Sequence, residues 1–193
     1  MLFSLLFSIL FNISQNLKIA PVANRLPPID STLTTASGKL FYNVHLKSFG
    51  KFGYALQVNI SGNNMKPTDY AITIPYPVYH FQLGDIDNDG KPDILLGVIK
   101  TTHFHPENIK RLFIYKIDNG RIRPMWLGSK ISHEIVDFRF VNIKQKPFVK
   151  SIEKERNNTY LVAEYQWKGF GLELVKYVCR NTNKKQAYET FNH

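Results

Sequence analysis

The sequence predicts an all-β protein made of antiparallel strands. Aromatic residues make up 13% of the chain, and charged residues only 21%. Aromatic and β-branched side chains favour strands over helices. Short alternating segments, separated by Gly, Asn, Asp and Pro, recur along the sequence. We expect one domain with a propeller-blade-like β-meander: two blade-like units and an additional hairpin, without closure into a propeller.

The N-terminal region, residues 1–23, is predicted to be a signal peptide or an N-terminal hydrophobic segment. Met1 to Ile13 is an uncharged apolar run, too short to cross a bilayer comfortably. Small residues at Ala20 and Ala23 suit a cleavage point. We therefore expect a secreted, periplasmic or other cell-envelope location without a stable transmembrane span. Residues 24–38 are rich in Pro, Ser and Thr and are interpreted as a linker.

The predicted β domain, residues 39–179, begins with the additional hairpin. Lys39 to Leu46 alternates as a strand, and Tyr54 to Ile60 returns after a turn that contains two glycines. Tyr70 to Ile74 is predicted as a short strand that ends before Pro75.

The centre of the domain is an acidic loop between two apolar arms, Val78 to Leu83 and Asp93 to Ile99. Carboxylates at the first, third, fifth and ninth positions of a tight turn can converge on a divalent cation, and a glycine at the sixth allows the sharp bend. The alternative is a hairpin turn without an ion, since Asp, Asn and Gly are favoured in turns. Four nearby carboxylates repel one another unless a cation neutralises them, which favours calcium. The predicted ligands are the side chains of Asp85, Asp87, Asp89 and Asp93 and the backbone carbonyl of Lys91.

The segment Gly84 to Gly97, GDIDNDGKPDILLG, resembles the FG-GAP/VCBS repeat, the calcium-loop blade of integrin α-subunit propellers and many bacterial secreted proteins. The resemblance implies a blade of antiparallel strands with structural calcium in a hairpin. It implies no reaction, because the family serves adhesion, ligand binding and scaffolding. The loop differs from an EF-hand, since Leu96 occupies the twelfth position where an EF-hand has a bidentate Glu.

The two predicted blade-like units are related by internal similarity. Arg111 to Ile117 and Arg121 to Leu127 flank an Asn-Gly turn, which completes four strands. Residues 138–145 then align with residues 81–88 at a displacement of 57 positions. Asn142 and Lys144 replace two loop acids in this second copy, so it is predicted to bind no metal.

Further predictions concern the two ends of the domain. Residues 40–46 resemble residues 161–167, each before a Gly-rich turn. Because closed propellers need about four or more blades, self-association is a possible way to complete the structure. The tail, residues 180–193, is polar and expected to fray.

The charge of the chain suggests an alternative function. Lys and Arg number 25 against 15 acids, a net charge of +10. Such an excess can favour anionic surfaces, or it can serve solubility alone. The alternative is therefore a polyanion- or glycan-binding protein that uses a basic and aromatic surface, without a specific nucleic-acid partner. The single cysteine, Cys179, excludes an internal disulfide.

Five residues outside the acidic loop are candidates for ligand contact. Two histidines one residue apart could bind zinc with a nearby carboxylate, joined by His80 or His133, although a polar connecting loop explains the same residues. Tryptophans at strand ends and turns could stack on sugar rings or bases, although core packing is the commoner use of aromatic residues. The candidates are His103, His105, Glu107, Trp126 and Trp167.

No sequence pattern predicts catalysis. Ser129, Ser132 and His133 lie close in sequence but without a nucleophile elbow. Glu164 and Glu173 could face each other as a glycosidase pair, although alternation predicts that both face solvent. We expect a non-enzymatic, exported calcium-binding module, binding or structural in role, whose partner at the envelope is an unidentified protein or glycan. A hydrolase is the less favoured alternative.

Overall fold

A computed structural model describes residues 30–49, 53–62, 68–103 and 105–193, apart from the side chain of His105. The predicted signal segment lies outside these residues, as do residues 24–29 of the predicted linker. The described chain forms twelve strands and one helix: β1 (Ser31–Ser37), β2 (Leu40–Phe49), β3 (Gly53–Gly62), β4 (Thr68–Ile74), β5 (Val78–Gly84), β6 (Asp93–Thr102), β7 (His105–Asp118), β8 (Arg121–Leu127), β9 (Glu134–Ile143), β10 (Lys146–Lys154), β11 (Tyr160–Trp167), β12 (Leu172–Thr182) and α1 (Lys184–Asn192).

The strands form three antiparallel meanders of four strands each. The first sheet is β1-β2-β3-β4, the second β5-β6-β7-β8 and the third β9-β10-β11-β12. The predicted all-β, blade-like meander is confirmed, and the described strands do not close into a ring. None of the described helical structure is long and apolar enough to cross a membrane.

The additional hairpin of the prediction is the middle of a complete sheet. β1 lies within the predicted linker and pairs with β2 from Ser31 opposite Leu46 to Ser37 opposite Leu40. The linker interpretation is wrong for this part, because the Ser and Thr residues of β1 alternate in burial as a strand does. Gly38, at φ +59°, makes the tight turn into β2.

The three sheets stack face to face around two cores. Tyr42, Leu56 and their neighbours in the first sheet pack against Leu96 and Phe113 of the second sheet. The opposite face of the second sheet packs against Phe138 and other apolar residues of the third. The second sheet is thus buried on both faces, which explains why β6 is apolar without alternation.

The tail is not frayed, contrary to the prediction, because α1 covers the outer face of the third sheet. Ala187 and Phe191 of the helix are buried against Ile152 and Val162. Asn183 caps the helix, since its side chain accepts a hydrogen bond from the N–H of Gln186.

The internal repeat places equivalent residues in contact. His80 and Asp137 are related by the 57-residue displacement, and Nδ1 of His80 lies 2.8 Å from Oδ1 of Asp137. A side chain at Gly84 would overlap the ring of Phe140, so the glycine permits this approach. In the second copy, Lys144 and Gln145 at φ +50° and +63° make a short turn where the first copy has its acidic loop.

Candidate metal centre

The acidic loop of residues 85–93 is closed by hydrogen bonds to its own backbone. Asp85 accepts hydrogen bonds from the N–H groups of Asp89 at 3.0 Å and Gly90 at 2.8 Å. Asp89 accepts one from the N–H of Lys91 at 2.9 Å. Asn88 and Gly90 have φ of +59° and +82°, so the chain reverses within a few residues. Asp87 accepts a longer hydrogen bond from the N–H of Asp89 at 3.3 Å, so all three carboxylates are tied to the backbone of the turn.

These three carboxylates lie close together. Each of Asp85, Asp87 and Asp89 offers an oxygen within 4.8 Å of the other two. An all-oxygen donor set of this kind suits a hard divalent cation. The loop can therefore hold a metal ion through these three residues, as predicted.

The fourth predicted ligand, Asp93, does not belong to this cluster of three and is fully buried. Its Oδ2 accepts a hydrogen bond from the N–H of Ile86 at 2.9 Å, whereas its Oδ1 has no partner among the described residues. Burial raises the pKa of Asp93 to about 7, and the charges of Asp87 and Asp89 contribute. A buried carboxylate oxygen without a donor is costly, and a cation in the loop would reduce that cost.

The sequence interpretation missed Lys116, which supplies a positive charge to the loop. Its Nζ lies 2.5 Å from Oδ2 of Asp87 and 2.6 Å from Oδ2 of Asp89. The hydrogen bonds that Lys116 donates to Asp87 and Asp89 raise the pKa of Lys116, so the ammonium is charged at neutral pH. Lys116 lies opposite Asp93 in the pairing of β6 with β7. An ion at the trio would have to share the carboxylates with this ammonium or displace it.

The loop also contacts the first sheet. The hydroxyl of Ser37, at the end of β1, donates to the carbonyl oxygen of Gly90. The backbone of the loop is thus linked directly to β1 of the first sheet. The N–H of Lys91 bonds within the loop, and a metal-ligating role for its carbonyl stays a prediction.

The histidine candidates lie on a long hairpin rather than in a connecting loop, because β6 and β7 extend to Thr102 and His105. His103 and Glu107 are exposed there. His80 bonds Asp137 and His133 bonds Ser132, at 2.8 and 2.9 Å. In the described part of the chain, no histidine joins a cluster of three potential metal ligands.

The tryptophan candidates pack against the second core. Trp126 and Trp167 are both partly buried there. The ring of Trp126 fills the space beside Gly171, and its indole N–H is buried without a partner in the described structure. Neither residue presents a fully exposed ring for stacking on a ligand.

Ser132 and His133 belong to a partly buried polar network. The Ser132 hydroxyl lies 2.9 Å from Nδ1 of His133, and Glu153 approaches the same nitrogen at 3.8 Å. A relay would need the acid and the serine on opposite ring nitrogens. Glu153 accepts hydrogen bonds from Ser151 and Tyr165 at 2.7 Å, and burial raises its pKa. The network anchors the segment before β9 beside a cavity of about 680 Å³.

The proposed glycosidase pair does not form. Glu164 lies opposite Lys176 in the strand pairing, whereas Glu173 lies opposite Gln166. Glu164 is 4% exposed and its carboxylate is 3.3 Å from the Lys176 ammonium, so the expectation that it faces solvent is wrong.

Comparison with known proteins identifies neither a family nor a function for this chain. No family model matches the chain. No curated protein matches it. One solved structure, described as a Xanthomonas type IV secretion system related protein, is similar over 82% of this chain and 89% of its own, with 14% identity and a TM-score of 0.43. Similarity at this level assigns no function.

Proposed function

We propose that the protein is an exported, non-catalytic β module of the FG-GAP/VCBS type, in which calcium bound by the acidic loop stabilises the stacked sheets at the cell envelope. The convergence of Asp85, Asp87 and Asp89 on one point is the observation that carries the proposal. The apolar run at the start of the sequence supports export. The module would serve binding or structure rather than chemistry.

Calcium would act through the contact between the loop and the first sheet. The three carboxylates would hold the ion, and Asp93 would gain a nearby positive charge for its unpaired oxygen. Ser37 bonds the loop backbone at Gly90, so an ordered loop favours the packed arrangement of the first two sheets. Binding to the folded state alone raises its stability by mass action.

Lys116 provides a direct test of the proposal, because its ammonium occupies the carboxylates that would bind calcium. Its ammonium already neutralises part of the cluster, so the calcium-free protein is expected to fold. Calcium must compete with that ammonium for Asp87 and Asp89, and this competition weakens calcium binding. Replacing Lys116 by Met should therefore lower stability in chelator and increase the stabilisation by calcium.

The experiment is thermal unfolding in calcium and in excess chelator. We expect calcium at about 100 times its Kd to stabilise the wild type by about 2.7 kcal/mol, or roughly 5–10 °C for a chain of this length. The Asp87→Ala/Asp89→Ala variant should lose this rise, whereas Lys116→Met should show a larger one. Asp118→Ala, which removes an acid from the same sheet outside the cluster, is the matched control.

A wild type and a Lys116→Met variant that both melt at the same temperature with and without calcium would contradict the proposal. Lys116 would then be the only counter-ion that the loop requires. Preserved calcium stabilisation in the double alanine variant would place the ion elsewhere in the protein.

A further inference from the structure

The outward face of the first sheet, the side opposite the core, is open to solvent. Residues of β2 at alternate positions, such as Val44 and Leu46, pack into the core with the second sheet. The residues between them point away from it, since side chains alternate along a strand. The outward face consists of Thr32, Thr34, Ala36, Phe41, Asn43, His45, Lys47, Phe49, Ala55, Gln57, Asn59, Ser61, Asp69, Ala71 and Thr73.

Two exposed aromatic side chains lie at the ends of this face. Phe41 is 53% exposed and Phe49 50% exposed. Both are on β2, and at about 3.4 Å per residue they lie about 27 Å apart. The ring of Phe49 lies against Gly53 on the neighbouring strand, where an added Cβ would be 2.9 Å from it. The ring is thus supported on one side and accessible on the other.

Polar side chains between the two rings bond one another in cross-strand pairs. Thr32 Oγ1 lies 2.8 Å from Nδ1 of His45. The hydroxyl of Thr34 donates to Oδ1 of Asn43 at 2.9 Å. The side-chain N–H of Gln57 donates to Oδ1 of Asp69 at 2.7 Å. These pairs fix the side chains in place before any ligand arrives.

The pairs leave hydrogen-bonding capacity for a ligand. The amide nitrogen of Asn43 and the amide oxygen of Gln57 have no partner among the described residues. A shallow cavity of about 390 Å³ includes His45, Gln57 and Asn59 in its lining. The face therefore offers both donors and acceptors to a ligand.

The chemistry of the face favours one kind of occupant. Apart from His45, the face carries one basic residue, Lys47, and one acidic residue, Asp69, so it does not share the strong positive charge of the chain. Protein interfaces place apolar residues at the centre and polar ones at the rim, and this face has the reverse arrangement. Aromatic rings at the ends suit the apolar faces of sugar rings, and amides between them suit hydroxyl groups.

We propose that the outward face of the first sheet binds a neutral, extended glycan, with Phe41 and Phe49 stacking on sugar rings and Asn43 and Gln57 hydrogen-bonding the hydroxyls between them. An extended β-1,4-linked chain can run along the extended strand β2 from one ring to the other, whereas a curved α-linked chain leaves it. The binding differs from that of a polyanion, since Lys and Arg contribute little and salt has little effect. It also does not require the metal loop.

The test is calorimetric titration of the full chain with cellohexaose and chitohexaose, with maltohexaose as the curved comparison. We expect the β-linked probes to bind. Phe41→Ala and Phe49→Ala should each weaken binding by roughly three- to tenfold, the size expected for one aromatic contact. Phe170→Ala is the matched control, because Phe170 is 90% exposed and lies on the third sheet's hairpin, away from the face.

Several results would overturn the inference. They are the absence of binding to both β-linked probes, an equal loss in Phe170→Ala, and a steep fall of affinity with salt. A concentration-dependent dimer in sedimentation that Phe41→Ala and Phe49→Ala dissociate would show that a second copy covers the face instead. Since binding should persist in Asp87→Ala/Asp89→Ala, the calcium proposal and the glycan proposal can fail separately.

Discussion

The two end sheets of the stack share one topology but differ in the side chains on their outward faces. The third sheet places Ile152 and Val162 on its outer side and covers them with α1. The first sheet places amides, hydroxyls and an imidazole there, and leaves them open. An unclosed stack of sheets always has two end faces. Their side chains, rather than the strand order, decide which face is buried and which is free to bind.

The helix is held at its end by basic residues of the third sheet. Lys150 donates to the carbonyl of Thr190 at 3.2 Å, and Arg139 donates to the carbonyl of Asn192 at 3.4 Å. Carbonyls at a helix C-terminus lack helical partners and carry partial negative charge, so cations there are favourable. The guanidinium of Arg139 also lies 5.1 Å from the centre of the Phe191 ring. The first sheet has no comparable cover among the described residues.

The strongest test of this comparison is the truncation of one phenylalanine at each end. Phe191→Ala removes a ring that is 5% exposed and should cost about 3 kcal/mol of unfolding free energy. Phe41→Ala removes a ring that is 53% exposed and should cost less than about 0.5 kcal/mol. Urea unfolding of both variants in calcium measures the difference. Equal losses would mean that both faces are covered in solution.

Removing the N-cap of the helix should cause a smaller loss of stability at the same end of the stack. Asn183→Ala removes the side chain that accepts the N–H of Gln186, and should cost about 1 kcal/mol. Asn192→Ala is the control, because it removes an exposed asparagine at the other end of the same helix. Unfolding free energies compare the two variants. No loss in Asn183→Ala would indicate that tertiary packing alone fixes the start of α1.

Local patterns predicted the middle of the protein well. Asn119 and Gly120 have φ of +49° and +77°, as the predicted hairpin turn requires. The arms of the acidic loop are β5 and β6, and three of its carboxylates converge. These features depend on residues close together in sequence, which is why composition and spacing were sufficient.

The missed features depend on contacts between distant residues or on weak local signals. Lys116 reaches Asp87 across 29 positions, through the pairing of β6 with β7. Glu153 contacts Tyr165 and the backbone of His133, which lie 12 and 20 positions away in sequence. The start of α1 did have a local signal, because Asn183 and Gln186 form a capping box, but the polar composition of the tail obscured it.

The smallest expected effect concerns the polar pairs on the open face. A double-mutant cycle of Gln57→Ala and Asp69→Ala should give a coupling of about 0.2–1 kcal/mol, as for an exposed cross-strand pair. Such a value would mean that the pair orders the face without being essential for folding. A loss above about 2 kcal/mol in either single variant would indicate a buried, desolvated pair. The first sheet would then be covered as the third is, and its face would not be free for a glycan.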